Sequence, residues 1–314
     1  MSGKQSAVAR VPRRRLDGVL LLDKAIGISS NHALQAARRL FGAEKAGHTG
    51  TLDPLATGLL PLCFGEATKF SGELLDADKQ YLATVQLGAT TDTADAEGQV
   101  LVRRPVACVP GQLLGVLAEF RGEIEQVPPM YSALKRDGKP LYEYARAGVE
   151  VERKARHVHI HELELVGQDL PTVDDRFSFA VRCSKGTYVR TLAADIGERL
   201  GCGAHLAALR RTAIGAITLD RAHTLDELEK LDVESRDRLL LPVDFLLAAL
   251  ERADLDAVSA ARLRRGQAVP RRGEGGGRVR AYDDHGRFLG LCLQVGDDML
   301  KPLRLIAEGQ GSGT

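Results

Sequence analysis

The chain has no tryptophan, and aromatic residues make up only 4% of its 314 positions. That scarcity excludes an extended stacking platform of the kind that coats single-stranded nucleic acid base by base. No apolar run approaches the roughly 20 residues that span a bilayer. The opening MSGKQSAVARVPRRRLDG is basic and lacks an apolar core, so it does not read as a secretory signal. Five cysteines (Cys63, Cys108, Cys183, Cys202, Cys292) are dispersed with no C-x-x-C pair. An odd, scattered set argues against a disulfide framework and a Cys-rich zinc site, and points to a reducing cytoplasm. The H-x-E and P-C-x-x-C pattern of zinc nucleobase deaminases is missing as well.

What is present is ordinary in amount and uneven in distribution. Hydrophobic residues are 44% and charged residues 27%, as expected of a globular chain. The net charge of +1 divides sharply. Residues 1–50 hold nine Lys/Arg against three Asp/Glu, and residues 262–280 hold seven arginines against Glu274 alone. Each stretch is +6, which leaves −11 for the remainder. Basic ends on an acidic middle suit a grip on a polyanion at two places, although charge alone favours a basic tail plus a solvated arginine face.

Apolar periodicity predicts a mixture of strands and helices. Gly18–Leu22 reads as a buried strand, and Ser29 or Ser30 caps a helix through Leu40 with Gly42 as its stop. Residues 43–65 read as a long loop with one helical turn, and Glu66–Asp76 as helix. Gln80–Leu87, His157–Val166 and Phe177–Cys183 alternate as strands. Val106–Phe120, Leu141–Ala147, Tyr188–Leu200 and Thr224–Leu231 read as helices, and Gly122–Gly138 as strand, Pro-Pro turn and strand. The irregular order without a repeated βαβ unit favours an α+β fold with a mixed or antiparallel sheet. Beyond Leu250 the pattern changes to short strands and Gly-rich turns, a compact β module of about 60 residues.

Two stretches are dense in chemistry-bearing residues. Gly47–Pro61, GHTGTLDPLATGLLP, surrounds a single carboxylate, Asp53, with glycine, threonine and proline. Asp53 before Pro54 reads either as a helix N-cap or as a functional carboxylate on a loop. The segment is not a phosphate loop, lacking G-x-x-x-x-G-K-[ST]. His48 lies five residues earlier and needs a partner to act. In Ser184–Arg190, SKGTYVR, an extended backbone would place Tyr188 and Arg190 on one side, giving a ring and a fixed cation. His157, His159 and His161 lie on one strand face, but no Cys or acidic cluster completes a ligand set, so a solvated strand is the better reading.

These blocks together resemble the TruB family, the bacterial tRNA pseudouridine-55 synthases. The resemblance runs through LLLDKAIGISS (Leu20–Ser30), AGHTGTLDPLATGLLPLCFGEATKF (Ala46–Phe70) and DKQYLATVQLGATTDTADAEG (Asp78–Gly98). It continues through QVPPMYSALKRDGKPLYEYAR (Gln126–Arg146), CSKGTYVRTLAADIG (Cys183–Gly197) and GCGAHLAALRR (Gly201–Arg211). One departure is Ala25, where the family usually has Pro, a change that alters loop stiffness more than chemistry.

The resemblance implies a pseudouridine-synthase fold with a central mixed sheet. It implies a catalytic domain over residues 18–250 and a small PUA-like, β-rich RNA-binding domain over 251–309, between a basic flexible tail at 1–17 and a flexible tail at 310–314. It implies an isomerase acting on uridine 55 in the T loop of tRNA, with Asp53 as nucleophile and Arg190 as the cation that keeps it ionised. Tyr81, Tyr188 and Leu209 would line the base pocket, and His48 would enter the T-loop stack as the uridine leaves. The isomerisation demands no metal or organic cofactor, and the partner is the tRNA T arm, with no membrane and no obligatory protein partner, in the cytoplasm. A tRNA-folding RNA chaperone with catalysis secondary stays open beside this reading.

Overall fold

The computed structural model describes residues 13–307, apart from 171, 173, 274 and 275. The expected tail at 310–314, and residues 1–12 of the expected N-terminal tail, lie outside the described residues. Strand β1 (Gly18–Lys24) leads into helix α1 (Ser30–Leu40), whose first turn is capped by Ser29 accepting from the His32 amide. Next come β2 (Ala46–His48), β3 (Ala56–Phe64), a 3-10 turn at Gly65–Phe70 and β4 (Lys79–Leu87). A hairpin of β5 (Ala89–Thr91) and β6 (Val100–Arg103) precedes α2 (Gln112–Glu119) and β7 (Gly122–Gln126). A two-residue hairpin, β8 (Lys135–Arg136) and β9 (Lys139–Pro140), and α3 (Leu141–Arg146) lead to β10 (Arg156–Val166) and β11 (Arg176–Cys183). Helix α4 (Val189–Arg199), β12 (Ala204–Ile214), β13 (Ile217–Thr218), α5 (Leu225–Glu229) and α6 (Val233–Asp237) complete this part.

These elements build one mixed sheet in the order β1-β3-β12-β4-β11-β10-β7, with β2 beside β3 and β13 beside β12. Only the β3–β12 pair among these ladders is parallel. The expected loop at 43–65 is therefore largely strand. The misreading has a physical cause: β3 is buried on both faces, so its apolar residues run on without alternating. Leu60, Leu62 and Phe64 face the main core with α1, while Leu59 and Cys63 face a second cluster with Val19, Leu21, Ile214 and Leu246. Gly58 sits in β3 with φ of +99°, and a Cβ there would lie 2.3 Å from the Arg211 carbonyl. The parallel β3–β12 contact therefore requires glycine.

Four further expectations change. Residues 122–138 do not form one hairpin, because β7 pairs with β10 while β8 pairs with β9. The helix expected over Val106–Phe120 is confined to Gln112–Glu119, beyond Pro110, and the one expected over Glu66–Asp76 is replaced by the 3-10 turn. Arg190 is not extended; it is the second residue of α4, with Tyr188 as N-cap.

A second, five-stranded sheet begins at β14 (Glu251–Asp254), followed by α7 (Ala257–Arg264), β15 (Val269–Pro270), β16 (Gly277–Tyr282), β17 (Phe288–Val295) and β18 (Met299–Leu305). It has its own core of Ala253, Leu263, Val279, Leu289, Cys292 and Leu300. Phe70, Leu247 and Leu291 join it to the main body, and Arg280 pairs with Asp244 at 3.0 Å across the same seam. The expected arginine face is largely neutralised: Arg264, Arg271, Arg278 and Arg280 pair with Asp283, Glu251, Glu73 and Asp244. Arg262, Arg265 and Arg272 are exposed and make no ion pair among the described residues.

Candidate active site

Asp53 lies between β2 and β3 on a segment clamped from both sides. The buried Ser30 hydroxyl accepts from the Leu52 amide at 2.7 Å and donates to the Leu52 carbonyl at 2.9 Å. The Gly27 amide donates to the Pro54 carbonyl at 2.9 Å. Lys24 is buried, and its ammonium donates to the Ala25 and Ile28 carbonyls at 2.9 and 2.6 Å. Burial pushes its pKa down to about 8. No helix follows Asp53, so the N-cap alternative falls; its carbonyl instead accepts from the Ala56 amide in a turn. Held at Leu52 and Pro54, the carboxylate has little freedom to move with its backbone.

Arg190 reaches Asp53 from the first turn of α4. The start of that helix is pinned by the buried Gln126, whose amide accepts from the Tyr188 N–H at 3.0 Å and donates to the Tyr188 carbonyl at 3.3 Å. The guanidinium is 5% exposed and donates to the Thr93 and Tyr131 carbonyls at 2.9 and 2.7 Å. It lies 3.0 Å from the Asp53 carboxylate and 3.6 Å from that of Asp95. One cation thus serves two carboxylates. Burial raises the Asp53 pKa, Arg190 opposes that rise, and Asp95 adds to it. The net direction is upward, with Arg190 acting in the expected sense, toward the charged form.

Asp95 was not singled out in the sequence, where it lies at the end of the block Asp78–Gly98. The turn that carries it is folded inward. The Leu206 amide donates to the Ala94 carbonyl at 3.0 Å, and the Ala96 amide to the Leu206 carbonyl at 2.9 Å. These bonds meet β12 where its pairing with β4 is irregular, between Leu206 and Ala208. Ala94 takes a left-handed φ of +59° to make the turn. Asp95 ends up with its side chain 4% exposed, accepting from the Thr93 hydroxyl and the Glu97 amide.

Above this ion cluster is an open cavity of about 180 Å³, lined by Asp53, Ala56, Tyr81, Ser132, Tyr188, Arg190 and Leu209, among others. Five of the six expected residues meet there: Asp53, Tyr81, Tyr188, Arg190 and Leu209. The sixth, His48, ends β2 and does not line the cavity. Burial and the nearby Arg211 lower its pKa, which favours the neutral ring. Tyr81 reaches the cavity from β4, with its pKa raised by burial. The volume is below the roughly 300–1,000 Å³ of pockets that enclose a whole small molecule. It suits one planar heterocycle placed against a carboxylate.

The histidine row is not assembled as a ligand set. His157 faces Glu125, His161 faces Asp78, and the His159 and His161 rings pack 4.7 Å apart. Among the described residues, no group of three or more His, Cys, Asp or Glu could hold a metal ion. No described helix is long and apolar enough to cross a membrane. A second cavity is lined by Lys135, Arg136, Glu152, Arg153, Lys154 and Arg156, among others. Arg156 connects the two cavities, its guanidinium 5.8 Å from the Tyr188 ring centroid.

Three family models match consecutive parts of the chain. TruB family pseudouridylate synthase (N terminal domain) covers residues 38–189. The tRNA pseudouridylate synthase B C-terminal domain covers 190–248, and Pseudouridine synthase II TruB, C-terminal, covers 252–306. The tRNA pseudouridine synthase B of Cupriavidus metallidurans is 57% identical over 305 residues, 95% of this chain and 96% of the relative. That of Burkholderia mallei is 58% identical over 308 residues, 96% of this chain and 97% of the relative. Among solved structures, a chain of a Cbf5–Nop10–Gar1 complex superposes with a TM-score of 0.65 at 27% identity, over 88% of this chain and 77% of that one. A chain of the archaeal box H/ACA sRNP Nop10–Cbf5 complex gives 0.66 at 24%, over 92% and 85%, a likeness of fold.

Proposed function

The chain belongs to the TruB family of pseudouridylate synthases and acts as a tRNA pseudouridine synthase, and we propose that its target is uridine 55 in the T loop. The observation that carries the chemistry is the Asp53 carboxylate, backed by Arg190 at 3.0 Å, facing a cavity sized for one base between Tyr81, Tyr188 and Leu209. A base stacked in the T loop cannot enter a cavity of that size together with its neighbours. The uridine therefore flips out, at a cost of a few kcal/mol that new contacts on the enzyme offset. The half-buried, neutral-leaning His48 is suited to take its place in the stack.

In the isomerisation, the Asp53 carboxylate attacks C1′ as the N1–C1′ bond breaks and its electron pair leaves with N1. The freed uracil turns, C5 bonds to C1′, and the carboxylate departs. The proton on C5 leaves and N1 is protonated, so substrate and product are isomers. Arg190 holds the carboxylate in place and favours its charged form. The basic cavity of Lys135, Arg136, Arg153, Lys154 and Arg156 supports an RNA reading, because phosphate contacts supply much of such affinity. We assign residues 18–250 to catalysis and the β module at 251–309 to RNA contact.

The test uses an unmodified tRNA transcript and its T-arm hairpin, with pseudouridine mapped by position. Conversion confined to the T-loop uridine is the expected result. Conversion elsewhere with uridine 55 untouched overturns the site assignment. Efficient refolding of the RNA without any conversion favours the chaperone reading.

A further inference from the structure

Gln126 is 1% exposed and is the last residue of β7. In the β7–β10 ladder it stands opposite Arg156, the first residue of β10. The pair marks the root of the excursion formed by residues 127–155, where the chain leaves the main sheet and returns to it. Both residues of that root reach Tyr188. The Gln126 side chain accepts from the Tyr188 N–H at 3.0 Å and donates to the Tyr188 carbonyl at 3.3 Å. The Arg156 guanidinium lies 5.8 Å from the Tyr188 ring centroid, and a Cβ on Gly186 would stand 3.4 Å from its Nη1. A third contact comes from within the excursion, where the Tyr131 carbonyl accepts from Arg190 at 2.7 Å.

Tyr188 begins α4 as its N-cap, yet it makes no side-chain capping bond of its own. Tyrosine offers no short oxygen to the first helical amides, unlike Ser, Thr, Asp or Asn. Gln126 therefore fixes, from a different strand, the residue at which the helix starts. A carboxamide suits that task because it carries both an acceptor and donors for the two polar groups of one peptide residue. Two residues on lies Arg190, whose guanidinium meets Asp53 at 3.0 Å, and Tyr188 itself lines the same cavity. We propose that Gln126 is a positioning residue for the isomerisation, setting the start of α4 so that Arg190 meets Asp53 and Tyr188 borders the flipped base. This rests on the reading of the cavity as a pseudouridine-forming site. Gln126 does not line the cavity, so it acts through Tyr188 and Arg190 and not on base or sugar.

The test is single-turnover isomerisation of a saturating T-arm hairpin by Gln126→Met across pH, beside equilibrium binding of the same hairpin. Methionine keeps the length of the side chain and removes both hydrogen bonds. The chemical step is expected to slow by roughly 10- to 100-fold, the scale of an ångström of misplacement, with hairpin Kd changed less than about threefold. Asp53 is faced by Arg190, Asp95 and Lys24, and of these Arg190 does most to favour its charged form. Loosening Arg190 raises the Asp53 pKa, so the acid limb of the rate should move to higher pH. A slower rate with the acid limb in its wild-type place leaves Gln126 as an anchor of the fold only and overturns the proposal. An unaltered rate, or a loss confined to Kd, overturns it too. Should Gln126→Met fail to fold, Gln126→Asn, whose amide is one methylene short, takes its place with the same expected and overturning results. Should neither fold, NMR of the unaltered protein decides: the Tyr188 amide is expected to be protected from hydrogen exchange, and exchange at the rate of an exposed amide overturns the proposal. An inactive wild-type enzyme on the hairpin would instead bring down the underlying reading of the site, whereas an active wild type with an unmoved limb in the variant rejects only the role of Gln126.

Discussion

In the C-terminal module two arginines converge on one carboxylate, whereas in the cavity one arginine is divided between two. Asp283 accepts from Arg264 at 2.6 Å, from the Arg287 side chain at 2.8 Å, and from the Arg287 and His285 amides at 2.9 and 3.1 Å. Burial works against its charge, but the amides and guanidiniums outweigh it and bring the pKa down to about 2. Asp53 has a single arginine shared with Asp95, and there burial wins and moves the pKa up. The same residue types therefore give opposite results, set by the ratio of cation to carboxylate and by the hydrogen bonds supplied. A satisfied carboxylate anchors a fold, and an under-satisfied one is kept available for chemistry.

The comparison breaks most visibly at Arg190. Arg190→Met leaves Asp53 and Asp95 buried together without a cation. The isomerisation rate should fall on the order of 10²–10³-fold, and thermal or denaturant unfolding should show a loss of about 3–5 kcal/mol. On the other side, Asp283→Asn should cost about 1–3 kcal/mol, confined to the module. Hydrogen exchange in Gly277–Leu305 should speed up while that in Ala204–Ile214 stays unchanged, and the saturated rate should hold within about twofold. Because its folded pKa is depressed, Asp283 supplies stability that is present above the ordinary carboxylate range. That stability is lost as pH falls toward 2.

Asp95→Asn sharpens the contrast by giving Arg190 to Asp53 alone. Asp53 must be ionised to act, so the rate falls as pH drops through its raised pKa, and the acid limb lies above the ordinary Asp range. Removing the Asp95 charge lowers that pKa and moves the limb to lower pH. The plateau rate should drop about tenfold, because Arg190 loses one of its anchors. A limb that stays put would separate Asp95 from the ionisation of Asp53. The smallest effect concerns the arginines that make no ion pair among the described residues, Arg262, Arg265 and Arg272. Arg262→Gln, Arg265→Gln and Arg272→Gln together should reduce the salt slope of tRNA binding by at most about 2–3, at roughly 0.7–0.9 per phosphate contact. An unchanged slope would mean that these side chains meet only solvent.

This last estimate shows where the sequence misleads. Seven arginines within residues 262–280 read as a block of positive charge, yet four have carboxylate partners distant in sequence. Composition counts charges, and only folding pairs them. The half-buried strands β4, β10 and β11 were legible because one face alternates with the other, and α1 because its Ser29 cap is local. β3 was not, because burial on both faces erases the alternation and its Gly58 and Pro61 look like loop punctuation. In the site, Asp53, Tyr188 and Arg190 were visible in dense motifs, and Tyr81 and Leu209 only through the family resemblance. Asp95 was hidden, since its place in the site comes from a turn docking on a bulged strand.

The central claim is that the ionised Asp53 carboxylate performs the reaction in a cavity that binds RNA independently of that charge. Asp53→Asn keeps the size and a hydrogen-bonding oxygen for Arg190 while removing the nucleophile. Single-turnover conversion and equilibrium binding of the same unmodified T-arm hairpin should be measured for both proteins. The account predicts no detectable pseudouridine from Asp53→Asn, with hairpin Kd within about threefold of wild type. A folded Asp53→Asn protein that still converts the hairpin at a rate near wild type would contradict it.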